Sequence, residues 1–262
     1  MTPLDSPELA PYVHLHGARE VHHPEAGPCF ICEGRYLVEE ALKDTGGLRV
    51  LSVLMSDRLE GELASLLPPE VKALVLPEAE LSALLGFPFH RGLLACVAVP
   101  PEPPLARLQE ARRLLVLPRL DNVDNLGSLL RTAAALGLEG VLAGRGPGTF
   151  DRRTVRVSMG AAWRLPVWRR TEDAALMELL EAWRAGTGGE VVAAALGPEA
   201  QPVAHWIPGE AVALVLGPEG PGLDGAWLSR CDRQVAIPMH HGMDSMNVGV
   251  AGAILVARQV GL

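Results

Sequence analysis

Three short segments of this 262-residue chain place polar side chains where an apolar, strand-like run would turn into a helix. In Leu114–Gly137 the apolar run is followed by Asn125, Gly127 and Arg131. In Ala211–Leu223 a second run breaks into Gly217-Pro218-Glu219-Gly220-Pro221-Gly222, with Glu219 its single carboxylate. In the third, Val235–Met239 leads through a loop of small and polar residues to Ser245 and Asn247, where an Ala/Val-rich helix begins. At such junctions the first backbone N–H groups of a helix have no partner within it and are available to a ligand. Asparagine brings both a donor and an acceptor, arginine five donors on a planar cation, and a carboxylate acceptors only. That set can hold a polar substrate and orient a hydroxyl group. Each residue also has a plainer reading. Asn125 and Ser245 are good N-caps for the helices that follow, and Glu219 suits an exposed turn. The Gly/Pro turn is no phosphate loop, because it lacks the Gly-Lys-Ser/Thr ending.

The elements that would position these groups alternate along the second half of the chain. Strands are expected near 114–120, 140–143, 191–196, 211–216 and 234–239, with helices near 125–137, 173–185 and 246–259. This alternation predicts an α/β fold whose mostly parallel sheet is covered by helices on both faces. A smaller α/β domain is expected before it, over residues 28–100. There Leu48–Met55, Ala73–Leu76 and Leu93–Val99 read as strands, and Arg35–Lys43, Arg58–Leu67 and Glu78–Leu85 as helices. The run Pro100-Pro101-Glu102-Pro103-Pro104 reads as a stiff linker, assigned to residues 101–108, and the second domain then covers 109–262. Residues 1–27, polar and rich in His and Pro, read as an extended arm.

A core built mainly from Leu, Val and Ala follows from 48% hydrophobic residues with only 4% aromatic. The five tryptophans (Trp163, Trp168, Trp183, Trp206, Trp227) are too scattered for a stacking platform and read as packing residues. Four cysteines, mostly in apolar runs, suggest no disulfide framework. Cys29-x-x-Cys32 behind His22 and His23 has the look of half a zinc site, but no second pair follows, and Phe30 alternating with Cys32 suits a strand. No metal is expected. Neither a signal peptide nor an apolar run of spanning length is present, so the expectation is a cytoplasmic enzyme without membrane contact.

A net charge of −8 argues against indiscriminate nucleic-acid binding. The acidity lies in residues 1–106, and the remainder is neutral. Within that neutral part, residues 145–170 hold seven arginines against one acid, Asp151. Arg145, Arg152, Arg153 and Arg156 are candidates for a phosphate track. The alternative is a solvated face whose arginines pair with acids from elsewhere.

Taken in order, the three segments resemble the motifs of the SpoU/TrmH class of SPOUT RNA methyltransferases: N-x-G-x-x-x-R at Asn125–Gly127–Arg131, G-x-E-G-x-G at Gly217–Glu219–Gly220–Gly222, and I-P-M with S-x-N-V at Ile237–Pro238–Met239 and Ser245–Asn247–Val248. Met246 stands where Leu is usual and Gly249 where Ser is common. Ser158-Met159-Gly160-Ala161 resembles the small-residue S-x-G-A of the class and suggests a tight helix. The first domain is similar to an L30e-like substrate-binding domain, through Phe30, Glu33-Gly34, the run Arg35–Leu42 and His90-Arg91-Gly92.

The resemblance implies transfer of a methyl group from S-adenosylmethionine to a ribose 2′-hydroxyl in structured RNA, ribosomal RNA rather than transfer RNA. It implies a deep trefoil knot in the catalytic domain and a homodimer using the last helix. Arg131, Asn125, Glu219, Ser245 and Asn247 would be the catalytic group. The cofactor would lie against Gly197, Leu216, Gly217, Gly220, Ile237, Met239, Ser245 and Met246. The class assigns activation of the hydroxyl to the arginine. A neutral arginine would need strong desolvation or a nearby cation; a charged one could instead orient the hydroxyl through the substrate phosphate. Two alternatives stay open: an RNA-binding assembly factor that has lost catalysis, and a SPOUT base methyltransferase.

Overall fold

The structure is a computed structural model, and it describes residues 2–15, 21–44, 46–63, 67–90, 92–218 and 220–262. In chain order come β1 (Val21–His23), β2 (Gly27–Glu33), α1 (Arg35–Lys43), β3 (Val50–Ser56), α2 (Asp57–Leu63), β4 (Lys72–Leu76), α3 (Glu78–Leu85) and β5 (Leu93–Ala98). They are followed by α4 (Leu105–Glu110), β6 (Arg113–Arg119), α5 (Val123–Ala135), β7 (Gly140–Arg145), α6 (Arg152–Ser158), α7 (Ala161–Arg164), β8 (Val167–Arg169) and α8 (Asp173–Thr187). The last elements are β9 (Glu190–Ala194), β10 (Gln201–Pro202), β11 (Val212–Leu216), α9 (Gly225–Leu228), β12 (Arg233–Ala236) and α10 (Val248–Gln259). The chain divides into two compact units. One is Met1–Pro101 with Gly148–Trp163; the other is Glu102–Pro147 with Arg164–Leu262.

The first unit holds a five-stranded sheet in the order β1-β2-β5-β3-β4, antiparallel except for the parallel pair β3–β4. Cys29 and Cys32 lie in β2, the strand that the sequence suggested, and both are buried. The N-terminal residues are not an extended arm. Pro7–Tyr12 form a 3-10 helix, and Leu9, Tyr12 and Leu15 belong to the core of this unit. Apolar residues three apart stack on one side of a 3-10 helix, a stripe that the surrounding His and Pro obscure. The Tyr12 hydroxyl donates to Ser52 O at 3.0 Å, so a fully buried phenol keeps its hydrogen bond.

The residues 148–163, expected in the catalytic domain, group with this first unit. Phe30 stacks on Phe150 (4.9 Å) and Trp163 (5.9 Å), and Arg152 lies 4.8 Å from the centre of the Phe87 ring. The helix expected around Ser158-Met159-Gly160-Ala161 is interrupted there. Met159 and Gly160 both adopt positive φ, which ends α6 before α7 begins.

The second unit holds seven parallel strands in the order β10-β12-β9-β11-β6-β7-β8. Strands β6, β7 and β8 progress one way; the chain then returns to lay β9, β11 and β12 on the other side of β6. Crevices form at the carboxyl ends of strands where the order reverses, and ligands bind there in such sheets. One face of the sheet packs Val116, Ala213 and Val215 against Leu176, Leu180 and Trp183 of α8. On the other face α5 and α10 cross closely. Gln259, fully buried in the last turn of α10, donates to Leu114 O (3.0 Å) and Val212 O (2.9 Å), tying that helix to the starts of β6 and β11. The Pro-rich linker is pinned as well: Trp168 Nε1 donates to Pro103 O (2.9 Å), and Arg170 takes both oxygens of Glu102 (2.6 and 3.0 Å). Trp168, Trp183, Trp206 and Trp227 are buried, in keeping with a packing role. No helix among the described residues is long and apolar enough to cross a membrane.

Candidate active site

All of the site described below lies in the second unit. After β6 the chain turns at Asn122, whose Oδ1 accepts from Asp124 N (2.8 Å) and caps α5. Asn125 is therefore not the N-cap expected from its type. The cap goes to the residue where the extended backbone ends, and Asn122 is reached first. Asn125 falls within the first turn of α5 at 7% exposure.

The third segment shows the same kind of correction. The cap of α10 is Asn247, whose Oδ1 accepts from Gly249 N (2.9 Å) and Val250 N (3.2 Å), rather than Ser245. Nδ2 of the same amide donates to Asn125 Oδ1 at 3.0 Å. The first and third motifs, 122 positions apart, thus meet in one hydrogen bond. Gly249 lies against this contact: a Cβ built on it would come within 3.0 Å of Asn247 Oδ1, 3.4 Å of Ser128 Oγ and 3.6 Å of Asn125 Oδ1.

A cavity of about 290 Å³ opens beside this contact, at the carboxyl ends of β9, β11 and β12. Among its walls are Leu216, Gly217, Gly220, Ile237, Met239, Ser245 and Met246, seven of the eight residues expected to face the cofactor. Gly197, the eighth, is outside the lining, one residue beyond its neighbour Leu196. Aliphatic walls with backbone groups at three turns, and a volume close to that of ordinary small-ligand sites, fit a molecule of the size and mixed polarity of S-adenosylmethionine. The Gly/Pro turn folds back on itself: a Cβ on Gly217 would lie 2.7 Å from both Gly222 C and Leu223 N, and Gly220 and Gly222 have φ of +93° and +70°. Glu219 lies outside the described residues.

Arg131 is exposed on α5. Asn125, Ser128 and Arg131 follow at intervals of three, so buried Asn125 and exposed Arg131 stand about 120° apart around the helix. Among the described residues Arg131 makes no ion pair.

The arginine-rich run does not form a single open track. Arg145 pairs with Asp173 (2.7 Å), and Arg170 with Glu102. In the first unit, Arg152 and Arg156 both engage Glu33, a carboxylate only 6% exposed, the latter at 3.2 Å. Arg153 is exposed. Carboxylates distant in sequence (Asp173, Glu102 and Glu33) thus pair with Arg145, Arg170, Arg152 and Arg156.

Residues 112–257 match the model of the SpoU rRNA Methylase family, more than half of the chain. The 23S rRNA (guanosine(2553)-2′-O)-methyltransferase RlmP of Bacillus subtilis is 33% identical over 228 residues, covering 87% of this chain and 86% of that protein. The 23S rRNA (guanosine-2′-O-)-methyltransferase RlmB of Acinetobacter baylyi is 33% identical over 181 residues, 66% of this chain and 72% of that one. Among solved structures, the SpoU methyltransferase AviRb from Streptomyces viridochromogenes, in complex with the cofactor AdoMet, superposes with a TM-score of 0.76 at 26% identity, covering 88% of this chain and 89% of that one. The protein belongs to the SpoU rRNA methylase family.

Proposed function

We infer that the protein transfers the methyl group of S-adenosylmethionine to a ribose 2′-hydroxyl of ribosomal RNA. The observation that carries this reading is the Asn125–Asn247 hydrogen bond beside a cavity walled by the turns of the second and third motifs. S-adenosylmethionine supplies an electrophilic methyl group on a sulfonium. The chain's part is to place the hydroxyl in line with it and to favour loss of its proton. Leu216, Gly217, Ile237 and Met246 wall the cofactor cavity. Arg131, a guanidinium on an exposed face, acts as a cation that orients the hydroxyl and its phosphate rather than as a base, since guanidinium does not give up its proton in water. Glu219 and Ser245 complete the catalytic group in this reading, Glu219 as the acceptor that holds Arg131 or Asn125 in place. The three turns are threaded as the trefoil knot that the family implies.

The first unit is the recognition domain in this reading, with L30e-like shape recognition of folded RNA. Arg152, Arg153 and Arg156 of this unit, and Arg145 of the second, are the candidates for phosphate contact. A homodimer would cover the outer side of α10, where Val250 and Ile254 are 54% and 40% exposed.

The test is incubation of the protein and its Arg131→Ala variant with methyl-labelled S-adenosylmethionine and ribosomal RNA from a strain lacking the gene, followed by digestion to nucleosides. Label in a 2′-O-methyl nucleoside, absent with the variant, is the expected result. Label on a base would replace the reading by base methylation, and no binding of S-adenosylmethionine would refute it.

A further inference from the structure

The two arginines that end β6 and β7 occupy one rung of the sheet. Arg119 is the register partner of Arg145. Side chains on one rung of neighbouring strands leave the same face, with their backbones about 4.8 Å apart. Like charges placed in this way are destabilising. The chain nevertheless fixes the rung from both sides. A Cβ on Gly144 would meet Pro118 O at 1.9 Å, and one on Gly146 would meet Leu120 O at 1.8 Å. Those glycines flank Arg145, and the carbonyls they approach flank Arg119. Leu120 N donates to Arg145 O (3.0 Å). Arg169 grips the loop that follows, donating to Gly146 O (2.6 Å) and Pro147 O (2.7 Å).

Each arginine of the rung has one carboxylate partner and spends only part of its guanidinium on it. Arg119 Nε donates to Asp121 (2.8 Å), and Arg145 Nη2 donates to Asp173 (2.7 Å). Both arginines are about half exposed. Ion pairs so open to solvent contribute little to stability and are weakened by salt. Among the described residues, Arg119 Nη1 and Nη2 and Arg145 Nε and Nη1 have no protein partner.

On the methyltransferase reading above, on which this inference rests, we propose that Arg119 and Arg145 form a two-arginine clamp for an RNA backbone phosphate next to the nucleotide being methylated. The strand order places them for it. The cavity proposed for the cofactor lies at the carboxyl ends of β9, β11 and β12; β6 is the next strand beyond β11, and β7 the next after that. All these strands are parallel, so the rung stands on the same edge of the sheet as the cavity. A phosphate seated there answers both cations at once through charge-assisted hydrogen bonds and relieves the like-charge conflict of the rung. The contact reads no base. It sets the register of the RNA strand, and salt weakens it.

Arg119→Gln, Arg145→Gln and the double variant test the clamp. Arg107→Gln is the control for net charge, because exposed Arg107 lies on α4, before the start of β6 and so toward the opposite edge. Affinity for ribosomal RNA is read by filter binding over a series of salt concentrations, and methyl transfer by steady-state kinetics. Each rung variant should lower the slope of log affinity against log salt by about 0.7–0.9. The double variant should raise KM for ribosomal RNA by about tenfold, the scale of one charge-assisted hydrogen bond, with kcat and affinity for S-adenosylmethionine nearly unchanged. Asp121→Asn and Asp173→Asn separate a clamp from a structural ion pair. Releasing the arginines should tighten RNA binding, whereas a structural pair would lose stability from either side and leave RNA affinity at the control's level. Rung variants with the slope and affinity of Arg107→Gln would overturn the proposal, as would acid variants that weaken RNA binding. A wild-type protein that binds ribosomal RNA but labels no ribose would instead overturn the methyltransferase reading, and with it the place of the clamp beside a reacting nucleotide.

Discussion

Gly252 of α10 lies against Leu129 of α5 so closely that a Cβ would come within 2.3 Å of Leu129 Cδ2 and 2.9 Å of Leu216 Cδ1. The absence of a side chain sets the spacing of the two helices one turn beyond the Asn125–Asn247 contact. Gly252→Ala gains about 1 kcal/mol of helix propensity and loses about 1–3 kcal/mol to overpacking against two buried leucines. The expected outcome is a net loss of stability of about 1 kcal/mol in chemical denaturation. It should come with a larger proportional loss of methyl transfer, because the helix that carries Asn247 is displaced. Unchanged activity would show that the helix spacing does not set the site.

Much of the second unit was legible in the sequence because parallel strands buried on both faces read as continuous apolar runs. β6, β7, β9 and β11 all fall where Val, Leu and Ala cluster, whereas β12 opens on Arg233 and Gln234 and ends at Ala236, short of the strand expected to reach 239. β8 and β10 were not legible, being three and two residues long, with polar or proline neighbours. Seven of the eight residues that the motif spacing placed against the cofactor line the cavity at the strand ends. The caps were misplaced because composition cannot say where a strand's backbone stops: Asn122 pre-empts Asn125, and Asn247 pre-empts Ser245. The pairing of Arg152 and Arg156 with Glu33 was invisible for another reason, since more than a hundred residues separate the partners.

Arg131 is expected to serve as a cation and not as a base. Arg131→Lys keeps the charge but loses the planar fork of donors, whereas Arg131→Ala loses both. Methyl transfer should fall by at least about 100-fold in the alanine variant and by distinctly less in the lysine variant. Both should keep their affinity for S-adenosylmethionine in calorimetry. Equal loss in the two variants would mean that the fork, and not the charge, is what matters.

Glu33 holds Arg152 and Arg156 to the first unit from a buried position. Removing one member of such a pair leaves the other charge without compensation. Glu33→Gln should cost about 2–3 kcal/mol, less when combined with Arg152→Met, because the double variant leaves fewer stranded cations. A double-mutant cycle read by urea unfolding measures the coupling, and strict additivity would argue against the ion pair.

Arg170 holds the Glu102 carboxyl below the usual carboxylate range, mainly through its hydrogen bonds to that carboxyl and against a smaller opposing effect of burial. A carboxyl depressed in the folded state stabilises the protein above its unfolded pKa, and that contribution is lost as pH falls through the folded value. Both side chains are more than one third exposed, at 36% for Arg170 and 45% for Glu102, so solvent screening keeps the effect below about 1 kcal/mol. The melting temperature of Glu102→Gln should lie slightly below that of the wild type at neutral pH. The gap should close on acidification below the ordinary carboxylate range. A gap that persists in acid would assign the effect to the linker's packing rather than to charge.

Gly217 and Gly220 occupy the same turn for different physical reasons, and that difference predicts different outcomes. At Gly217 the obstacle is space: a methyl group would meet the backbone of Gly222 and Leu223 at 2.7 Å, and backbone cannot swing aside as a side-chain end can. At Gly220 nothing lies within 4 Å, but φ is +93°, a conformation that costs an L side chain about 1–2 kcal/mol. Gly217→Ala must therefore open the turn that walls the cavity proposed for the cofactor, while Gly220→Ala can leave the wall in place with some local strain. Affinity for S-adenosylmethionine in calorimetry should weaken by more than about tenfold in the first, equivalent to about 1.4 kcal/mol, and by less in the second. The rise in melting temperature on adding S-adenosylmethionine should shrink in the same order. Equal affinities for the two variants would separate the compact turn from cofactor binding and place the ligand elsewhere along the strand ends.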